Sequence, residues 1–205
     1  MADALYHRGP DDEGQWLDPA AGVAFGHRRL SILDLSPQGR QPMISHSGRR
    51  VLVFNGEVYN FAEIRAELEQ DRVVPWRGHS DTEIMLEAME RWGVEGALKR
   101  FNGMFSVAVW DREKRTLTLA RDRLGKKPLY YGWLSGCLVF GSELGAVKAA
   151  GLGALEVNRA AIACLLRLNY IPAPSSIYVG INKLQAASIV VFDEPALASR
   201  RMPAT

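Results

Sequence analysis

The sequence predicts a mixed α/β domain in which helices cover antiparallel strands. Three observations predict it. From Gly103 the apolar period becomes two, and Met104 to Trp110 places Phe105, Val107 and Val109 on one face and Met104, Ala108 and Trp110 on the other, so both faces of that strand are covered. Val51 to Phe54 is a short continuous run of β-branched and aromatic type, the pattern of a strand buried on both sides. Helical stripes beginning near Asn60, Ser80 and Asn158 supply the covering layers. A layered α/β sandwich follows, rather than a half-exposed sheet.

Taken in order, Met1 to Arg8 is at most a fragment of a helix, and His7 to Gly14 is polar and turn-rich. Gln15 to Asp18 and Gly22 to Leu30 read as short strands joined by a turn containing Pro19, and Ser31 to Leu35 stays extended until Ser36-Pro37-Gln38-Gly39. After the Val51 strand, Asn60 and Glu63 form a candidate capping box, with Phe61, Ile64 and Leu68 as one stripe. Ser80 and Glu83 form a second box before Met85, Ala88, Met89 and Trp92; Gly93 ends that helix, and a shorter one runs to about Phe101. Thr116 to Ala120 returns beside the Gly103 strand, and Leu129 to Trp133 forms a hairpin with Leu138 to Phe140 around Ser135-Gly136. Asn158 to Leu168 is an amphipathic helix with Ile162, Leu165 and Leu166 expected inward, and Ile189 to Phe192 is a last strand. The stretch from Glu194 to Thr205 has no periodicity and reads as a disordered tail.

With 205 residues, 47% of them apolar and 23% charged, the chain can bury a core of its own. A net charge of +2 with dispersed basic residues argues against nucleic acid as a partner. No apolar run approaches the roughly 20 residues that span a bilayer, and no signal peptide opens the chain, so the expected compartment is the cytoplasm with no membrane partner. Cys137 and Cys164 have no metal-ligand spacing and read as buried thiols; no metal site is expected.

Polar clusters punctuate this frame at His27 to Ile32, Asn55-Gly56-Glu57, Ser80 to Glu83 and Arg121 to Pro128. Singly each has an ordinary reading: Asn-Gly after a strand is a turn, and an aspartate at a helix start complements the helix dipole. Together with Tyr6-His7-Arg8-Gly9-Pro10-Asp11 and Arg100 to Phe105, in this order, they resemble the glutaminase half of bacterial-type glutamine-hydrolysing asparagine synthetase, a class II glutamine amidotransferase, over roughly Leu5 to Asp193. Other class II amidotransferases share the Asn-Gly pair but not the Arg29-Leu30-Ser31-Ile32 and Ser80-Asp81-Thr82-Glu83 forms.

The resemblance implies the four-layer αββα sandwich of N-terminal-nucleophile hydrolases, here lacking its first strand. It implies that residues 1–157 are the amidotransferase domain, that 158–193 begin a linker to a synthetase domain, and that 194–205 are tail. It implies that the Asn55 side-chain amide and the Gly56 N–H form an oxyanion hole, the donors that tetrahedral intermediates of amide hydrolysis need. Arg29 would clamp the α-carboxylate of L-glutamine. Asp81 and Glu57 would take its α-ammonium, and Leu30 and Ile32 would give mainly backbone contacts, their side chains being core.

The family nucleophile is a cysteine at the chain's own N-terminus, its α-amine serving as base. Here Met1 is followed by Ala2. No Ser-Gly-Gly-x-Asp-Ser loop of the ATP-binding synthetase domain occurs, so no cofactor is expected in this chain, and ATP and magnesium would belong to that other domain. Gln185-Ala186-Ala187 stands where the family has Pro-Pro-Gly, which puts the final hairpin in question. The expectation is an ammonia-releasing domain that feeds activated aspartate, incomplete at both ends and inactive alone. The alternative is a non-catalytic module that binds glutamine or a partner. A sheet short of a strand would also leave an edge for self-association.

Overall fold

The period-two segments stack as two sheets in the computed structural model of the protein, which describes residues 1–31, 36–70 and 73–203. A 3-10 helix over Ala2–Arg8 leads into the antiparallel pair β1 (Asp12–Asp18) and β2 (Val23–Arg29). Next come β3 (Met43–Ile44), β4 (Arg50–Val58), α1 (Phe61–Glu69) and α2 (Asp81–Arg100). The hairpins β5 (Gly103–Asp111) with β6 (Thr116–Arg121), and β7 (Tyr130–Leu134) with β8 (Cys137–Gly141), follow. The chain closes with α3 (Leu144–Lys148), α4 (Arg159–Leu168), β9 (Ile181–Lys183), β10 (Ile189–Phe192) and α5 (Glu194–Ser199).

Besides the two-stranded sheet β1-β2, the two stacked sheets run β10-β6-β5-β4-β3 and β8-β7-β9. Alternation along β4 shows how they are covered. Leu52, Phe54 and Val58 pack with Ile64 and Leu68 of α1 and Met85 and Met89 of α2. Val51 and Val53 face the opposite way, into a core shared with Tyr131, Leu184 and Phe192. On the far side of the smaller sheet, Val139 and Ile181 pack with Val147 of α3. The order is helix, sheet, sheet, helix, which is the αββα sandwich.

Several local expectations are corrected. Asn55 and Gly56 are not a turn. They lie inside β4, opposite Ser106 and Phe105 of β5, and a Cβ on Gly56 would stand 2.1 Å from the Met104 carbonyl oxygen, so the pair of strands needs glycine there. Asn60 caps no N–H of α1; its amide instead donates to Arg100 O and accepts from Asn102 N–H, tying the two helices' ends together. Ser80 Oγ does accept from Glu83 N–H, but the Glu83 carboxylate turns away to the N–H groups of Arg77 and Gly78. Gly93, at φ +74°, breaks α2 where the sequence places its end.

The amphipathic helix α4 forms, but its apolar side points outward: Leu166 is 80% exposed, Ile162 and Leu165 are also exposed, and only Ala161 is buried. The final segments are not one hairpin, since β9 pairs with β7 in one sheet and β10 with β6 in the other. Glu194–Ser199, read as tail, is a short helix that starts on the Asp193 cap, and its Leu197 packs against the inter-sheet core. Cys137 is exposed rather than buried. Among the described residues, no helix is long and apolar enough to cross a membrane.

Candidate active site

The expected site residues border one cleft of about 520 Å³ at the rim of the sandwich, between β2, β4, the start of α2 and β8. Arg29, Leu30, Asn55, Gly56, Glu57 and Asp81 all line it, as do His27, Gln41, Ser106 and Ser142. Ile32 and the rest of 32–35 lie outside the described residues. Leu30 is 56% exposed, so its side chain is not core.

Alternation places the two catalytic candidates. Asn55 shares the face of Val51 and Val53, pointing between the sheets, and its Nδ2 donates to Ser142 Oγ at the end of β8, 3.3 Å away. The backbone of β4 alternates too. Tyr59 N–H turns inward to Asn102 O, and the N–H groups of Phe54 and Val58 turn outward, to Gln41 Oε1 at 2.6 Å and Asp81 Oδ2 at 3.0 Å. Gly56 falls between Phe54 and Val58 in that alternation, so its N–H faces the same open edge and the cleft.

The charged residues are held by their neighbours. Arg29 is buried at the end of β2, and its Nη1 donates to Ser36 O at 2.9 Å. Its guanidinium lies against Gly39: a Cβ there would stand 2.1 Å from Nη2. His27 comes from the same face of β2, whereas Arg28 turns outward to Asp3 and Glu13. Burial raises the Asp81 carboxyl above the usual range, and the negative charge of Glu57 adds to the rise; the N–H groups of Val58 and Thr82 oppose it. A cation beside Asp81 would offset that rise.

His27 donates through Nε2 to the Phe54 carbonyl at 3.1 Å, and burial, reinforced by Arg29, lowers its pKa to about 4 despite that bond. It is a neutral imidazole at pH 7. Neither Gln41 nor Ser142 was singled out by sequence reasoning, and His27 appeared only as part of a motif; no periodicity or spacing marks a side chain that bonds to a strand's backbone. The fourth polar cluster is structural. Asp122 accepts the N–H groups of Phe105, Leu124, Lys126 and Lys127, and Arg121 donates to the carbonyls of Lys127, Leu184 and Gly125.

Neither thiol serves these donors. Cys137 lines the same cleft, but it stands at the far end of β8 from Ser142, roughly 17 Å along an extended strand. Cys164 is on α4. Among the described residues, no group of three or more His, Cys, Asp or Glu side chains could hold a metal ion.

Comparison with known proteins shows the family of the chain. A putative glutamine-hydrolyzing asparagine synthetase of Methanocaldococcus jannaschii is 34% identical over 211 residues, taking in 94% of this chain and 40% of its own length. Asparagine synthetase (glutamine-hydrolyzing) 3 of Bacillus subtilis is 36% identical over 205 residues, 96% of this chain and 32% of its own. The chain thus spans well under half the length of these relatives. The solved glutamine phosphoribosylpyrophosphate amidotransferase of B. subtilis shares the fold, with a TM-score of 0.62 at 18% identity over 85% of this chain and 33% of that one. The glutamine amidotransferase domain description matches residues 1–202, which include both sheets and every element around the cleft, and the chain belongs to that family.

Proposed function

We propose that this is the ammonia-releasing part of an asparagine synthetase-like amidotransferase and that its cleft holds L-glutamine. Arg29 takes the α-carboxylate, Asp81 and Glu57 take the α-ammonium, and the side-chain amide then points to Asn55 Nδ2–H and Gly56 N–H. Leu30, which lines the cleft, adds backbone contacts along the substrate. The observation that supports this most is the open edge of β4, where the Gly56 N–H lies between N–H groups already engaged by Gln41 and Asp81. Donors fixed this way stabilise a tetrahedral oxyanion without reorganising.

With neither Cys137 nor Cys164 at the donors, the 205-residue chain is expected to hydrolyse no glutamine by itself. In the complete amidotransferase the released ammonia passes to a synthetase domain for amide formation on activated aspartate. ATP and magnesium belong with that activation, and glutamine hydrolysis requires no cofactor. The exposed apolar side of α4, with Leu165, Leu166 and Leu168, and Tyr170 just past its end offer a surface for such a domain, consistent with a boundary near residue 157. The compartment assigned is the cytoplasm.

Calorimetry with L-glutamine tests the reading. Saturable binding that Arg29→Ala abolishes is expected; no binding by the unaltered chain overturns it. Cysteine-dependent glutamine turnover by the purified chain would overturn the inactivity.

A further inference from the structure

Phe54 immediately precedes the two proposed oxyanion donors, and its backbone is held from outside the sheet. On that side β3 pairs with β4 only at Val51 and Leu52, so among the described residues no strand reaches Phe54. Two side chains stand where a strand would. Gln41 Oε1 accepts the Phe54 N–H at 2.6 Å, and His27 Nε2 donates to the Phe54 carbonyl at 3.1 Å. Gln41 is itself buried, and its amide also donates to Thr82 Oγ1, beside Asp81. Donation to a carbonyl puts the imidazole proton on Nε2, so Nδ1 carries a lone pair, and that atom is buried without a partner.

We infer that His27 and Gln41 are positioning residues, a two-sided clamp on the Phe54 backbone that aims the Asn55 amide and the Gly56 N–H into the cleft. The clamp rests on the oxyanion reading above. Donors to a developing oxyanion must be placed to within about 0.5 Å, which a strand end with no neighbour on one side does not ensure. The two residues come from different segments, β2 and the loop before β3, so the backbone is fixed from two independent anchors. An apolar side chain of similar size at either position would fill the volume and hold nothing.

Two variants of the full chain, His27→Leu and Gln41→Leu, test this by ¹⁵N NMR without ligand and by calorimetry with L-glutamine. His27→Gln, which keeps an amide donor within reach of the same carbonyl, is the conservative control. Each Leu variant should move the Asn55 and Gly56 amide resonances, speed hydrogen exchange of the Asn55 N–H, which pairs to β5, about tenfold and weaken glutamine binding about tenfold, the worth of one such bond. The amides of Leu119 and Val190, deep in the same sheet, should stay in place, and His27→Gln should restore most of the loss. Unmoved Asn55 and Gly56 amides in the Leu variants would overturn the clamp. So would shifts that spread equally to Leu119 and Val190, because they would show general loosening. If one Leu variant fails to fold, the other decides. Should the unaltered chain bind no glutamine while the amides respond as stated, the clamp is supported and the glutamine reading fails.

Discussion

The Asp81 carboxylate accepts the Val58 N–H at 3.0 Å, and this bond ties the first turn of α2 to the strand that carries Asn55 and Gly56. The same carboxylate is the proposed ammonium ligand, so its structural and binding roles can be separated by substitution. Burial and Glu57 raise its pKa in the folded chain. A carboxyl raised on folding binds more protons folded than unfolded, so its contribution to stability falls as pH rises through its folded pKa and is unfavourable at pH 7. Asp81→Asn keeps an oxygen acceptor for Val58 and removes the charge. It should melt no lower than the unaltered protein at pH 7 yet bind L-glutamine at least about tenfold more weakly. Asp81→Ala strands the Val58 N–H and should cost about 1–3 kcal/mol in denaturant titrations. Unchanged glutamine affinity in Asp81→Asn would remove Asp81 from the ammonium site.

Gly39 offers a way to misplace Arg29 without touching it. A methyl group there meets Nη2 at 2.1 Å and Cζ at 2.8 Å, and the far end of a long side chain can move aside. Gly39→Ala should therefore leave stability within about 1 kcal/mol of the original. The guanidinium must nevertheless leave its position beside Ser36 O, so glutamine affinity should fall about tenfold. Calorimetry beside thermal melts separates the two effects. Equal affinity would show that Arg29 does not clamp the carboxylate from this position.

His27 gives the fold an acid-sensitive element. Its pKa falls from 6.5 to about 4 on folding, through burial first, with Arg29 adding to the drop and the Phe54 carbonyl and Asp12 opposing it. Between these values the unfolded chain binds the proton and the folded chain does not, so stability is lost as pH drops from about 6.5 towards 4, by roughly 3 kcal/mol in all. Asp81 pulls the other way as it protonates, so the measurement that isolates His27 is a difference. The melting temperature of His27→Gln should fall less between pH 7 and pH 5 than that of the unaltered chain. Parallel pH profiles would rule out His27 as the titrating group.

The layers were legible because burial on both faces leaves a continuous apolar signature, as in Val51 to Phe54 and Met104 to Trp110. The break at Gly93 was legible for a local reason, a φ of +74° that only glycine adopts freely. The Asn-Gly pair misled because the same dipeptide serves a turn by its dihedral freedom and a strand by its lack of a side chain. What forces glycine at position 56 is the Met104 carbonyl, almost fifty residues further along the chain. Of the site, the motifs carried Arg29, Asn55, Gly56 and Asp81 to one cleft. Gln41 stayed invisible because a side chain replacing a strand's hydrogen bonds leaves no mark on composition or period. Helix α4 shows the reverse failure: its amphipathic pattern is real, but periodicity cannot say whether the apolar face meets this chain's own core.

Ala187 occupies the left-handed region at φ +55°, in the crossing from β9 to β10, while its N–H donates to Asp122 O at 2.9 Å. A residue with a Cβ pays about 1–2 kcal/mol there, partly offset by the larger unfolded-state freedom of glycine. Ala187→Gly should stabilise the chain by roughly 0.5–1 kcal/mol in denaturant titration. Destabilisation instead would show that the methyl group packs usefully in the crossing.

The outer edge of β8 sets the last expectation. Among the described residues β8 pairs only with β7, through a turn in which Ser135 and Gly136 both have positive φ, the type I′ hairpin. In such a hairpin the closing pair, Leu134 and Cys137, exchanges both hydrogen bonds, so alternation turns the N–H groups of Leu138 and Phe140 outward. Those groups can pair with the same edge of a second copy. Sedimentation velocity should therefore show concentration-dependent self-association. Leu138→Pro deletes an outward N–H while sparing the bonds to β7, so it should shift the protein towards monomer with its circular dichroism retained. A chain that stays monomeric at every concentration reached would show that this edge is blocked in solution. A Leu138→Pro variant that associates as strongly as the original would place the contact elsewhere, with the exposed side of α4 the next surface to alter.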